Sequence, residues 1–153
     1  MQLTVHTDYA LRVLLYLAHF PGRRVGTREI SKAYGISKHH LVRVVRTLHD
    51  AGFVVATAGR SGGVSLAHPV DRIRLGDIVR ASEPSFRLVE CHDKATNTCP
   101  IVPVCGLQGY LDSALEAFLS ELDRHTLADL ARPKTREKFI QLLAPHPREW
   151  SAS

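Results

Sequence analysis

A chain of 153 residues that is 44% hydrophobic carries enough apolar material for one compact core and too little for two full domains. Its formal net charge of +5, with nine histidines besides, favours an anionic partner such as nucleic acid over a neutral small molecule. His6, Asp8 and Arg12 interrupt the apolar N-terminal pattern and no long uncharged run follows, so neither a signal peptide nor a membrane span is expected and the cytoplasm is the expected location.

The first predicted element is a helix over Thr7 to His19, where Tyr9, Ala10, Val13, Leu14, Leu17 and Ala18 recur at helical steps before Pro21-Gly22. Asp8 lies in its first turn. A short helix follows over Thr27 to Tyr34, with Thr27 as its expected N-cap and Gly35 as its stop. Ser37 can cap a third helix, KHHLVRVVRTLHD, in which Leu41, Val44, Val45 and Leu48 make one apolar face while Lys38, His39, Arg43 and Arg46 lie largely away from it. Gly52 ends that helix.

Two helices joined by a short glycine-containing turn, the second with a basic outer face, form the helix-turn-helix pattern. Next, FVVATAGRSGGVSLA reads as two strands, Phe53 to Thr57 and Val64 to Ala67, around a glycine-rich turn. A hairpin in this place is a wing. Lys38, His39, His40 and Arg43 are therefore expected in the major groove, with Ser37 and Arg46 nearer the phosphates. Arg60, Ser61 and Gly62 are expected in the minor groove or along the backbone. The turn joins strand to strand, so it is not a phosphate-binding loop, and no thiol has a His and a carboxylate at a recognisable catalytic spacing; the chain is not expected to be an enzyme.

A short helix is expected over Leu75 to Ala81, ended by Glu83-Pro84. From about Gly106 a long helix is predicted through Leu107, Leu111, Leu115, Phe118 and Leu122 to around Leu130. That stripe exceeds what one small core needs, so Leu111, Leu115, Phe118 and Leu122 are candidates for a homodimer interface. A short helix around Phe139 to Leu143 and a mobile, polar end complete the chain.

All three cysteines fall within CHDKATNTCPIVPVC, Cys91, Cys99 and Cys105, with seven residues between the first two and five between the last two. An odd count without an export signal argues for reduced thiols and metal binding. Three are too few for a closed four-thiolate site, so one ligand comes from elsewhere or a position stays open. His92 could complete a zinc site, although these spacings are not the short knuckles of structural zinc. Spaced thiolates on a loop also suit an iron-sulfur cluster, and unligated thiols or a redox disulfide remain as further readings.

MQLTVHTDYALRVLLYLA, the pair ISKAYGISKHHLVRVVRTLHDAGFV, the wing AGRSGGVSLA, the three-cysteine loop and the long helix together resemble the IscR/NsrR family of iron-sulfur winged-helix transcription regulators, from Met1 to about Leu130. The chain is most similar to the nitric-oxide-sensing repressors of that family. The resemblance implies a homodimer whose protomers each hold an iron-sulfur cluster on residues matching Cys91, Cys99 and Cys105. It also implies that Asp8, from the partner protomer, completes a 4Fe-4S cluster, with 2Fe-2S as the alternative. A plainer role for Asp8 is to complement the positive end of its helix, worth about 0.3–1 kcal/mol. IscR-like members use a histidine three residues after the third cysteine, where this chain has Gln108.

The expected architecture is mainly α with a small β wing. It comprises a winged helix-turn-helix DNA-binding domain over 1–83, a cluster loop over 84–105, a dimerisation helix over 106–131 and a partly mobile tail over 132–153. The expected function is a repressor that binds double-stranded operator DNA as a homodimer, switched when nitric oxide reacts with its cluster. The alternatives are a regulator sensing redox or cluster status through iron-sulfur or zinc, and a metal-binding scaffold without DNA affinity.

Overall fold

A computed structural model describes residues 2–57, 59 and 62–143. Helix α1 spans Val5–Ala18 and starts before Thr7 because Thr4, in extended conformation, is its cap and accepts a hydrogen bond from the Thr7 amide. Its buried side, with Ala10, Val13, Leu14 and Leu17, forms the centre of the core. Helix α2 spans Thr27–Tyr34, and Gly26 rather than Thr27 occupies its N-cap. At its other end Gly35 adopts the left-handed conformation with φ 67°. Helix α3, Lys38–Asp50, is capped by Ser37, whose hydroxyl accepts from the His40 amide, and buries Leu41, Val44, Val45 and Leu48.

Strands β1, Val54–Thr57, and β2, Gly63–Leu66, pair antiparallel with Val54 opposite Leu66 and Thr57 opposite Gly63. The hairpin has a second anchor. Val25, between α1 and α2, exchanges backbone hydrogen bonds of 2.9 and 2.8 Å with Val64, fixing β2 to the body. Helix α4, Leu75–Ser82, then buries Leu75, Ile78 and Val79. Helix α1 packs against α3, α4 and β2, so the helix-turn-helix and the wing share its core.

The long helix expected over 106–131 is two elements. Helix α5 covers Leu107–Asp123 and helix α6 Leu127–Leu130. The break is built by Thr126, whose backbone N–H and hydroxyl both donate to the Asp129 carboxylate in a capping box. The chain there is also stitched to the start of α4: Leu75 N–H bonds the His125 carbonyl at 3.0 Å and Leu127 N–H the Ile73 carbonyl at 2.8 Å. Leu127 is then fully buried among core residues.

Beyond it, helix α7 spans Pro133–Leu143, a longer helix than the one expected around Phe139. The Phe139 ring stacks on buried His19 with centroids 3.9 Å apart, which returns this segment to the end of α1. The polar end expected to be mobile, 144–153, lies outside the described residues. No helix among the described residues is long and apolar enough to cross a membrane.

Candidate nucleic-acid interface and cysteine loop

With its apolar face committed to the core, α3 turns Lys38, His39, Arg43 and Arg46 outward, and Ser37 is exposed at its N-terminus. Arg46 makes only a loose ion pair with Asp50, at 3.8 Å, on an open surface where such pairs hold little. His40 leans to the other flank, its ring centroid 6.2 Å from that of Tyr9 in α1. The outer face thus presents exposed basic side chains that can meet phosphates and base edges. Of the wing turn, Gly62 donates a backbone hydrogen bond of 3.0 Å to the Gly59 carbonyl. Arg60 and Ser61 lie outside the described residues. Sequence reasoning passed over Val42, which stands exposed among the cations of α3.

The cysteine loop runs from the end of α4 to the start of α5 and contains only two short 3-10 turns, Glu90–His92 and Val102–Val104. Cys91 sits in the first turn and Cys105 caps the second, while the Cys99 amide donates to Asn97 Oδ1 at 3.1 Å. All three thiols are free and half-buried. The loop is braced by its own carboxylates. Glu90 accepts from the amide and hydroxyl of Thr98 at 2.6 and 2.7 Å, and these bonds hold its carboxyl below the usual range. Asp93 pairs with Arg87 and accepts from the Ala95 amide.

His92 is engaged elsewhere. Its Nδ1 accepts from the Leu88 amide at 3.2 Å, which leaves Nε2 carrying the proton of the neutral ring, nearly buried and 3.4 Å from Asp112 Oδ1 without a hydrogen bond. Among the described residues no three His, Cys, Asp or Glu side chains converge on a single metal-ion position. This geometry does not form the zinc site of three thiolates and His92. Three free thiols spread along one loop do fit the donor chemistry of an iron-sulfur cluster, where each thiolate can take a different iron.

Asp8 stands on the first turn of α1, half-exposed, and is held by Arg12 through contacts of 2.7 and 3.1 Å. The Arg12 guanidinium lies about equally far from the Tyr9 and Tyr34 ring centroids, at 5.8 and 6.0 Å. One turn earlier, α1 is tied to the start of the cysteine loop. The Glu83 carboxylate accepts from the Thr4 amide at 3.0 Å, the Thr4 hydroxyl at 3.1 Å and the Thr7 hydroxyl at 2.6 Å. Partial burial alone would raise the Glu83 carboxyl, but the bonds from Thr7 and Thr4 outweigh it and hold the group below its ordinary value.

On α5, Leu111, Leu115 and Phe118 face Leu3, Phe86 and Leu88 across an open cleft of about 360 Å³. Val104, Leu107 and Tyr110 stand exposed at the same end of the helix. Leu119 is buried, and Leu122 packs against the chain's own core. Within the expected interface set, only Leu122 has been drawn into that core.

A winged helix-turn-helix whose second helix turns a basic face outward defines a class: DNA-binding transcription regulators. The chain belongs to the Rrf2 family, described as iron-dependent transcriptional regulators, whose signature matches residues 3–133. It is 44% identical over 144 residues to the HTH-type transcriptional regulator NsrR of Bacillus subtilis, covering 94% of this chain and 97% of that protein. Among solved structures it is similar to the oxidized form of Staphylococcus aureus CymR, with TM-score 0.68 and 25% identity over 86% of this chain and 97% of that one. It also shares its fold with T. potens IscR, at TM-score 0.67 and 24% identity over 85% of each chain. Family membership makes the chain a transcription regulator rather than an enzyme, and sets aside the scaffold without DNA affinity.

Proposed function

We propose that the chain is a homodimeric repressor whose affinity for operator DNA is set by an iron-sulfur cluster held on Cys91, Cys99 and Cys105 and sensitive to nitric oxide. The observation that carries this reading is the state of the thiols: free, half-buried and on one braced loop, none of them part of the hydrophobic core. The similarity of that loop and of Asp8 to the nitric-oxide-sensing members of the family supports the choice of effector. When bound, the cluster supplies an iron site to which nitric oxide can add.

The chain's own residues supply the coupling. In this reading the partner subunit's Asp8 is the fourth ligand, an oxygen donor that is harder and more readily displaced than thiolate. As a ligand, Asp8 would give up its ion pair with Arg12, and Arg12 would be in place to take the carboxylate back whenever that bond was lost. Because α1 carries Asp8 and packs on α3, a change at Asp8 bears on the recognition helix, and the Thr4, Thr7 and Glu83 contacts pass the same movement to the loop. Dimerisation uses the open cleft along Leu111, Leu115 and Phe118.

An anaerobic nitric oxide titration, followed together by cluster absorbance and operator fluorescence anisotropy, tests the reading. The expected result is loss of the cluster in step with release of DNA. Cys→Ala variants at positions 91, 99 and 105 are expected to hold no cluster and to behave as the released form from the start. Asp8→Ala is expected to keep the fold and dimer with a more labile cluster. Consumption of the cluster with DNA affinity unchanged would reduce the loop to a structural role.

A further inference from the structure

Val42 is 51% exposed in the middle of the basic face of α3. Lys38, Val42 and Arg46 follow at steps of four and form one row along the helix, with His39 and Arg43 in the adjacent row. The residues that seat α3 are Leu41, Val44, Val45 and Leu48, and Val42 belongs neither to the buried core nor to the apolar residues packed against it. Helix stability gives no reason for it either. A β-branched side chain loses rotamer freedom in a helix, and Ala, Lys or Arg would serve better at an exposed position.

We propose that Val42 is a specificity-determining residue that packs against the 5-methyl group of a thymine in the major groove. The inference rests on the reading of α3 as the recognition helix. Base edges in that groove present hydrogen-bond donors and acceptors, and one apolar feature, the thymine methyl. Lys38 and Arg46, on either side in the row, can bond phosphates or base acceptors. Val42 can do neither, so its one favourable contact with a base edge is the mutual burial of methyl groups. As the fifth residue of α3 it lies in the N-terminal part of the helix, the part that recognition helices direct at bases. A dimer would read that thymine once in each half-site.

The full chain, purified without oxygen, is allowed to select a duplex from a random-sequence pool. Each thymine of that duplex is then replaced, in both half-sites together, by deoxyuridine, which lacks only the 5-methyl group, and affinity is measured by anisotropy for wild type and Val42→Ala. At one thymine per half-site the wild type is expected to lose about fourfold per half-site, the effect of returning one methyl group to water. Val42→Ala is expected to bind the thymine duplex with a loss of similar size and to be indifferent to deoxyuridine at that position, with an unchanged circular dichroism spectrum. Independent, multiplying losses, or no deoxyuridine-sensitive position, would overturn the assignment and leave the DNA-binding reading standing. Failure to select any sequence would overturn both.

Discussion

Arg80 of α4 closes on Asp123 at the end of α5 through two parallel hydrogen bonds of 2.6 and 2.7 Å, directly over Gly76. A Cβ at Gly76 would fall 1.9 Å from Asp123 Oδ1, so the glycine leaves the space in which the pair sits. The pairing holds the Asp123 carboxyl below its ordinary value and the Arg80 guanidinium above it. Because both intruding groups are ends of flexible side chains, an added methyl should displace the ion pair and leave the helices in place.

Gly76→Ala and Asp123→Ala are therefore expected to be coupled. In the Asp123→Ala background Gly76→Ala should stabilise by about 0.5–1 kcal/mol, the usual gain of alanine over glycine inside a helix. In the wild-type background that gain is offset by loss of the pair. Urea unfolding of the four proteins measures the difference, and equal effects in both backgrounds would show that the pair does not depend on the space at Gly76.

Arg43→Ala distinguishes base reading from phosphate contact. If Arg43 meets a guanine edge, its loss should cost about 1–3 kcal/mol and relax preference at one base pair per half-site. A phosphate contact would weaken all sequences alike and lower the salt slope by about one. Binding to single-position operator variants at two salt concentrations separates these outcomes.

Leu111→Glu with Leu115→Glu should produce monomers, since both side chains line the open cleft without belonging to the core. Leu122 is a poorer probe of association because it packs on that core, and a charge there would destabilise the fold. If the proposed dimer holds two half-sites about one helical turn apart, operator affinity should fall far more than affinity for a single half-site. Sedimentation showing an intact dimer would move the interface elsewhere.

Burial, with a smaller contribution from the nearby Arg136 cation, lowers the His19 pKa from its ordinary value of 6.5. The folded protein therefore prefers the neutral ring under Phe139. Stability from this site is fully present above about 6.5 and declines as pH falls through the lower folded value. His19→Phe keeps an aromatic stack without a titratable group. Its thermal midpoint should fall less than that of the wild type between pH 7.5 and 5, and parallel curves would remove His19 from the acid response.

The helix-turn-helix was legible because its signals are local: Gly35 stops α2, Ser37 caps α3, and four apolar residues at helical spacing name the buried face. The break between α5 and α6 was also written locally, as Thr126 followed by Asp129, but the continuing leucines concealed it. Contacts between distant segments left no such trace. Glu83 meets Thr4 and Thr7 across 79 and 76 residues, and Val25 pairs with Val64 through backbone groups whose identity no side chain betrays. The cysteines were conspicuous by clustering, whereas the commitment of His92 to the Leu88 amide and the seating of Leu122 in the core depend on packing that spacing does not encode.

The hydrogen bonds that stitch His125 and Leu127 to Leu75 and Ile73 give α5 the mechanics of a cantilever. Its far end carries the cysteine loop and its near end is clamped to α4 by these bonds and by the Arg80–Asp123 pair, so the fulcrum lies near Asp123. The 17 residues of α5 make an arm of about 25 Å, and a tilt of about 5° there sweeps the Gly106 end through about 2 Å. Such a displacement is comparable to the length of a metal–ligand bond, so if the loop holds the proposed cluster, small rotations at the clamp would bear on ligation at the tip.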